Sequence, residues 1–497
     1  VKELIKVLVI IAISIILSTL IATGVKVPST GVGYEILSAW RNETGFKADL
    51  NSNIVLYKQI VSFTLFIIVI TFTVLDPKYR YYAAFFSIAM LAITTTVPYS
   101  ELIMSIDWRL ILFLAGSMTL AFILKSLRVF EFIVIELIRL TRGSFRAIVA
   151  ILMFIAWFLA MVLDEATSVV YATMFVFELT KLGVIDIAPL IVLVVLATNT
   201  GSLALPVGNP IGIYLAFAAR LTIEEFLIKA LPLSILLLLL LIVVTMVLMR
   251  NYIEKCSREI RARAVDIFTT GRRSELVITT RKLRIGLIYL FCFLILIASV
   301  DYIARLISTY TGVETDPHTL LTFIPYVIIA FTPLTYDPGE LEKAILSGVE
   351  WPSLLFFISL FMLGDALKYT GIAYKLAYLT SQITELNVAR TVILLLVVSA
   401  GFSSLLDNLS VIVAFTPVAR ALSTLISSRV FYWALLYGGV LGGNFTPIGS
   451  TANIVAWGIA EKHKVKITWS LWLKVAFILT SLQVIGALLF AIFILQI

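Results

Sequence analysis

Three carboxylates stand inside apolar stretches of this chain: Asp164 and Glu165 in Met161-Val162-Leu163-Asp164-Glu165-Ala166-Thr167, and Asp407 in Leu405-Leu406-Asp407-Asn408-Leu409-Ser410. A carboxylate near the centre of a bilayer costs about 2.5–3.5 kcal/mol on insertion scales, so a cation, a proton or a helix N-terminus must stand beside it. Asp164 and Asp407 each begin the second helix of a helix-turn-helix, where a side-chain oxygen caps free backbone N–H groups. Capping alone would account for them. Such donors also favour the ionised carboxylate, which suits a sodium ligand. Glu165 lacks that donor set and has a charged neighbour, which suits carriage of a proton. The second tip has neutral Asn408 at that place, so the two tips are not chemically equivalent. Thr167 and Ser410 add a hydroxyl to each.

Two further stretches cannot continue a regular helix. One runs from Asn199, Gly201 and Ser202 through Pro206, Gly208, Asn209 and Pro210; the other from Gly442, Gly443 and Asn444 through Thr446, Pro447, Gly449, Ser450 and Asn453. Proline removes a donor and clashes, and glycine loosens the backbone. Irregular backbone at membrane depth is tolerated where it lines a polar cavity, and opened helices offer carbonyls to cations and N-termini to anions. Candidate sodium positions are Asp164, Asp407 and Asn444. The bland alternative is a pair of packed proline kinks.

The elements that must hold these residues are membrane helices. The 497 residues are 61% hydrophobic and 14% charged, more apolar side chain than a water-facing surface tolerates. Runs such as Leu231 to Met249 and Leu283 to Val300 approach the 20 or so residues that span the hydrocarbon core. The net charge of +8 sits in loops rather than on an amphipathic face, which argues against nucleic acid. Arg250, Arg258, Arg261, Arg263, Arg272, Arg273, Arg281, Lys282 and Arg284 make the 250–284 loop cytoplasmic by the positive-inside rule. The start, Lys2 to Thr23, has the length of a retained first helix beginning in the cytoplasm rather than a signal peptide.

The chain resembles itself at a fixed offset. Asp107-Trp108 matches Glu350-Trp351, and Leu163-Asp164 matches Leu406-Asp407, both 243 residues on; Gly208 matches Gly449 at 241. Landmarks in one order argue for duplication. The expected organisation is a first helix and outer loop (1–54), repeat 1 (55–249, with scaffold helices at 55–140 and hairpin plus broken helix at 146–249), and a basic linker (250–284). Repeat 2 (285–497) follows, with scaffold helices at 285–370 and hairpin plus broken helix at 391–497. With both hairpins re-entrant, each copy crosses five times and the second is inverted. The fold class expected is all-α and polytopic, with about 11 transmembrane helices and two re-entrant hairpins.

Cys256 and Cys292 are too few and too scattered for disulfides or a thiolate metal site. His318 and His463 fall near loops and are expected at the surface. No Gly-x-x-x-x-Gly-Lys-Ser/Thr, His-Glu-x-x-His or Gly-x-Ser-x-Gly motif occurs, so the sequence offers neither ATP hydrolysis nor a catalytic pair; a soluble ATPase partner stays open. Neither an organic cofactor nor a transition metal is expected, only Na+ or H+ as coupling ion.

At the tips and breaks the sequence resembles the ion transporter superfamily, which includes arsenite permeases, NhaD-type sodium/proton antiporters, the P protein, and citrate and dicarboxylate carriers. The resemblance rests on Leu406-Asp407-Asn408, Thr416-Pro417, the run Gly442 to Asn453 and Glu461-Lys462-His463, and in copy one on Asn199, Gly201-Ser202 and Pro206 to Pro210. The chain departs from it at Leu205, Gly212 and Glu165, where threonine, asparagine and asparagine are common. The resemblance implies a plasma-membrane homodimer of inverted repeats working as an elevator, and secondary active transport of a small inorganic ion or solute. Because carboxylates at the tips repel anions, the proton- or sodium-coupled arsenite and sodium/proton branch is the first expectation, and an organic-anion carrier of the citrate type is the alternative. A non-transporting membrane protein is the remote third. On this reading Asp407→Asn abolishes coupled flux.

Overall fold

The computed structural model describes residues 2–46, 48–75, 79–129, 132, 144–163, 165–181, 186–258, 281–334, 338–406 and 408–494. Asp164, Asp407 and most of the basic linker therefore lie outside the described residues. The regular elements described are all helical, as lipid demands: without water, each backbone N–H and C=O must be satisfied within the segment. In chain order they are α1 (Lys2–Gly24), α2 (Val32–Thr44), α3 (Asn53–Leu75), α4 (Arg80–Ile93), α5 (Tyr99–Met104) and α6 (Trp108–Ser126). The first hairpin, α7 (Phe145–Val162) and α8 (Glu165–Lys181), precedes α9 (Ala188–Ser202), α10 (Pro210–Ala218) and the 26-residue α11 (Ile223–Leu248). Then come α12 (Arg281–Ala298), α13 (Val300–Thr311), α14 (Pro317–Ala330), α15 (Pro338–Gly348), α16 (Trp351–Tyr369) and α17 (Ile372–Thr384). The second hairpin, α18 (Val388–Ser403) and α19 (Asn408–Ile426), leads into α20 (Val430–Gly442), α21 (Thr451–Lys462) and α22 (Trp469–Ile494).

Among the described residues eight helices are long and apolar enough to cross a membrane, or up to nine with the bent pair α12 and α13 taken as one span. The chain is a polytopic membrane protein. The other crossings expected from sequence fall on shorter apolar helices, among them Arg80–Ile93, Ala188–Ser202 and Pro317–Ala330.

The chain divides into two compact units. One comprises Val1–Trp108, Trp351–Gly439 and Leu488–Ile497; the other comprises Arg109–Glu350 and Val440–Ala487. In the first, α1 packs on α3, α3 on α4, and α19 is enclosed by α16, α17 and α18. Its polar joints are buried: Gln59 Nε2 donates to the carbonyls of Leu50 and Thr370, each at 3.1 Å, and Lys375 Nζ donates to the Ala22 carbonyl at 2.6 Å.

At the centre of the second unit is α9, whose every residue is buried against α7, α8, α11 and α21. Its run Leu190 to Ala197 is apolar all round, the pattern of a helix enclosed by protein. Hydrophobic burial does not drive association within lipid, so close packing must, and small residues permit it. A Cβ on Gly201 would stand 2.1 Å from the Trp157 carbonyl oxygen, and one on Gly208 would stand 2.1 Å from that of Ala160. Only glycine lets α9 and the turn after it press so close to the backbone of α7.

Candidate functional site

The first break begins where α9 ends at Ser202. A 3-10 turn at Pro206–Gly208 follows, and α10 restarts at Pro210, whose missing N–H costs nothing at a helix start. Asn209 closes the gap. Its Oδ1 caps α10 by accepting from the Ile211 N–H (2.7 Å), and its Nδ2 donates back to Ser202 Oγ (3.1 Å), which donates to the Asn199 carbonyl (3.0 Å). The Thr200 carbonyl, in the last turn of α9, accepts from Ser234 Oγ (2.6 Å), itself receiving the Trp157 indole N–H (2.7 Å). Gln483 Nε2 reaches Thr200 Oγ1 at 2.7 Å. In this way side chains satisfy helix-end groups that would otherwise be orphaned.

The second break repeats the device. After the 3-10 turn Gly443–Phe445, Ser450 caps α21 by accepting from the Ala452 N–H (3.2 Å). Asn453 Nδ2 reaches back to the carbonyls of Gly443 (2.8 Å) and Thr446 (2.7 Å), and the Trp472 indole N–H holds the Asn444 carbonyl (3.1 Å).

Asn199 joins the two breaks. Its Nδ2 donates to Asn444 Oδ1 (2.7 Å) and Asn453 Oδ1 (3.0 Å), while its Oδ1 accepts from Ser450 Oγ (3.1 Å). Ser450 Oγ also lies 3.4 Å from Glu165 Oε1, the first residue of α8. All of these residues are buried. Both protons of the Asn199 amide and both of the Asn453 amide are used, which fixes their orientations; reversing Asn444 would set two amide N–H groups against each other. Asn444 Nδ2 is thus a buried donor that meets no acceptor among the described residues. Among the described residues no group of three or more His, Cys, Asp or Glu could hold a metal ion.

A family profile described as citrate transporter, CitMHS, matches residues 63–438 and again 345–497. The chain belongs to the citrate transporter family. An uncharacterized transporter of Mycobacterium tuberculosis is 26% identical over 385 residues, 76% of this chain and 85% of its own length. An uncharacterized transporter of Synechocystis is 22% identical over 451 residues, covering 87% and 96%. The human P protein is 24% identical over 426 residues, 72% of this chain and 50% of its own.

In this member of the citrate transporter family, the expected residues Glu165, Asn199, Ser202, Asn209, Asn444, Ser450 and Asn453 come together in one unit, with Gly201 and Gly208 as the close contacts beside them. Gly449 is buried at the foot of α21, its N–H donating to the Thr446 carbonyl (3.3 Å); Thr167 is half-buried on α8. Asn408 and Ser410 belong to the other unit. There Ser403 Oγ contacts both Asn408 Oδ1 and the Gly439 carbonyl, the latter at 2.5 Å. Asp164 and Asp407, with the sodium positions assigned to them, lie outside the described residues.

Trp157, Ser234, Trp472 and Gln483, which were not singled out from sequence, complete the shell together with Thr200 of the first break. Ser234 interrupts a stretch that is otherwise almost wholly aliphatic, a weak but usable signal. The histidines require one correction. His463 is exposed as expected, stacked on Phe177 at 4.2 Å, but His318 is only 8% exposed. It opens α14, where Phe217 lies over its ring at 5.5 Å. Beside it, burial pushes the Asp316 carboxyl up, but hydrogen bonds from Thr319 and the His318 N–H, with Arg109 3.1 Å away, hold it below its ordinary value.

Proposed function

We propose that the chain is a proton-coupled secondary transporter of a small oxygen-rich solute, with carboxylates of the citrate type as first candidates and Glu165 as the proton carrier. The observation that carries this reading is the buried network joining the first hairpin tip to both breaks, with the Asn444 amide N–H meeting no acceptor among the described residues. That donor suits a solute oxygen and does not suit a cation. A proton on Glu165 removes the repulsion that its carboxylate would exert on a carboxylate solute, so uptake of the solute and of the proton are linked.

Ser450 supplies the coupling. Its oxygen already accepts from Ala452, and its one proton has two acceptors, Asn199 and Glu165. An ionised Glu165 competes for that proton; a protonated Glu165 donates to Ser450 instead and returns the Ser450 proton to Asn199. The protonation state of Glu165 thereby resets the hydrogen bonds of the residue that orients Asn444.

Re-entry of the first hairpin is part of this reading, and the placement of its arms supports it. Arg146 at the start of α7 pairs with Glu254 (3.5 Å), and the Asp186 backbone carbonyl, just past α8, accepts from the Tyr252 hydroxyl (2.6 Å), so the first arm begins and the second ends beside the segment that follows α11. Trp157 meets Ser234 near the middle of the 26-residue span, and α7 adds only five residues beyond it before turning. At 1.5 Å per residue the tip stops about 9 Å short of the far end of α11. The elevator motion, the homodimer, the plasma-membrane location and the cytoplasmic 250–284 loop belong to the same proposal.

A second reading, transport of sodium or a neutral inorganic acid such as arsenous acid, draws on the carboxylate at the site. Uptake into proteoliposomes with citrate, sodium and arsenite, each with and without an inward proton gradient, separates the two. Gradient-driven citrate uptake is expected, lost as a driven process in Glu165→Gln while citrate exchange persists. Sodium or arsenite flux without citrate flux would overturn the proposal.

A further inference from the structure

The helix α13 follows α12 after one residue, yet is bent from it by 67°. At 1.5 Å per residue the 18 residues of α12 cover about 27 Å, close to the hydrocarbon thickness, so the chain has reached a bilayer surface before the bend. Three other helix starts meet α13 or the segment after it. Asp301 accepts from the Glu224 N–H (3.0 Å) in the first turn of α11, and Arg305 pairs with the Glu224 carboxylate (3.4 Å). Asp316, which caps α14, pairs with Arg109 at the start of α6. Charged groups at three helix starts mark that surface.

Around α13 three kinds of environment follow in order. Val300 and Ala304 are buried against protein; Asp301, Arg305, Ser308 and Thr309 form a polar edge; Tyr302, Leu306 and Tyr310, at spacing i, i+4 and i+8, are 62%, 42% and 82% exposed. This last stripe continues one on α12, where Ile288, Phe291 and Ile295 are 57%, 61% and 63% exposed and face the acyl chains of any bilayer the span crosses. Tyrosine is the residue whose apolar ring and polar tip suit the boundary between headgroups and acyl chains.

We propose that α13 is an interfacial anchor lying along the bilayer surface, with Tyr302, Leu306 and Tyr310 inserted in the lipid headgroup–acyl boundary and Asp301 and Arg305 tying it to the start of α11. The anchor holds the outer end of the span whose Ser234 braces Thr200 beside the network. Bilayer packing at this helix is then felt at the site.

The test is spin labelling in nanodiscs. In a C256S/C292S background, cysteines are placed singly at Tyr302, Leu306 and Tyr310, with Ile295 as a lipid control and Arg305 as a polar-edge control. Labels at 302, 306 and 310 are expected to relax with oxygen rather than a water-soluble nickel chelate, at a depth of about 5–10 Å. The label at 305 is expected to respond to nickel. Nickel access at all three tyrosine-face positions would overturn the proposal, as would closure to both reagents with dipolar broadening, the mark of a second copy on this face. Should a labelled variant fold poorly, unmodified protein in nanodiscs carrying a lipid-borne diazirine gives the same decision. Carbene adducts on Tyr302 and Tyr310 support the anchor, and their absence, with adducts present on α12, refutes it.

Discussion

The two hairpins are built alike and held differently. In each, a glycine of the following broken helix presses on the first arm: Gly201 on the Trp157 carbonyl, and Gly438 on the Leu396 carbonyl and Ser399 Oγ. The first tip presents Glu165 to Ser450, a residue distant in sequence that belongs to the second break. The second tip presents Asn408 to Ser403 of its own hairpin, and Ser403 also meets the Gly439 carbonyl. One hydroxyl proton cannot serve both acceptors. The amide orientation in which Asn408 donates to Ser403, and Ser403 to Gly439, satisfies the chain. Among the described residues, a titratable group sits in a shared network at the first tip, and a neutral amide in a local one at the second. On the proposed function, Glu165 exchanges a proton where Asn408 does not.

The largest effect is expected from the glycines the hairpins share. Gly201→Ala and Gly438→Ala place a methyl 2.1 Å and 2.2 Å from a backbone carbonyl oxygen, forcing helices apart at a cost of about 3 kcal/mol. Gly458→Ala, with nothing within 4 Å, serves as control. Thermal unfolding in detergent should show both variants destabilised and the control unchanged; equal midpoints would mean the close approaches are not built as described. Next, Glu165→Gln should abolish the pH dependence of solute uptake while preserving the contact to Ser450. Asn408→Asp, read by the same flux assay, should not create a second pH-dependent step, and if it does the contrast between the tips fails.

Lys375, buried in the first unit, gives a smaller effect of definite sign. Burial, opposed by Asp49, pulls its ammonium down to about 8. The folded chain therefore releases this proton before the unfolded chain does. The penalty is fully present below about pH 8 and fades as pH rises toward 10.5. A shift of this size corresponds to at most about 3 kcal/mol. Lys375→Met should raise the unfolding midpoint at pH 7, and the gain should vanish near pH 10.5; a gain independent of pH would implicate packing instead. The smallest effect lies on the second hairpin away from its tip, where Glu43 meets Arg420 at 3.1 Å and Lys368 at 4.0 Å, all partly exposed. Arg420→Gln should cost about 1 kcal/mol or less and should lose even that at high salt.

Much of this arrangement could be read from residue types. Pro206, Pro210 and Pro447 with their glycines announce the breaks, because no regular helix holds them, and Glu165 announces a site because lipid penalises it. The pairing of amides could not be read. That Asn199 should donate to both Asn444 and Asn453 depends on two breaks meeting at one depth, which spacing along the chain does not encode. Ser234 escaped because a single polar residue in an aliphatic run leaves no periodicity. His318 was misplaced because its neighbours Asp316 and Pro317 signal a helix start, which is silent about the Phe217 ring that covers it.

The fully buried α9 sets an order of events in biogenesis. Its 15 residues are too short to span a bilayer unaided, and its Asn199 amide finds its partners 245 and 254 residues later in the chain. At about 5–20 residues per second, Asn199 waits roughly 12–50 s after its own synthesis before Asn444 exists. During that interval the helix must be sheltered by α7 and α8 or by the insertion machinery. Late-arriving α21 and α22 therefore complete a site whose first half has long been in the membrane, and truncation before residue 444 should leave a nascent chain that degradation machinery can recognise.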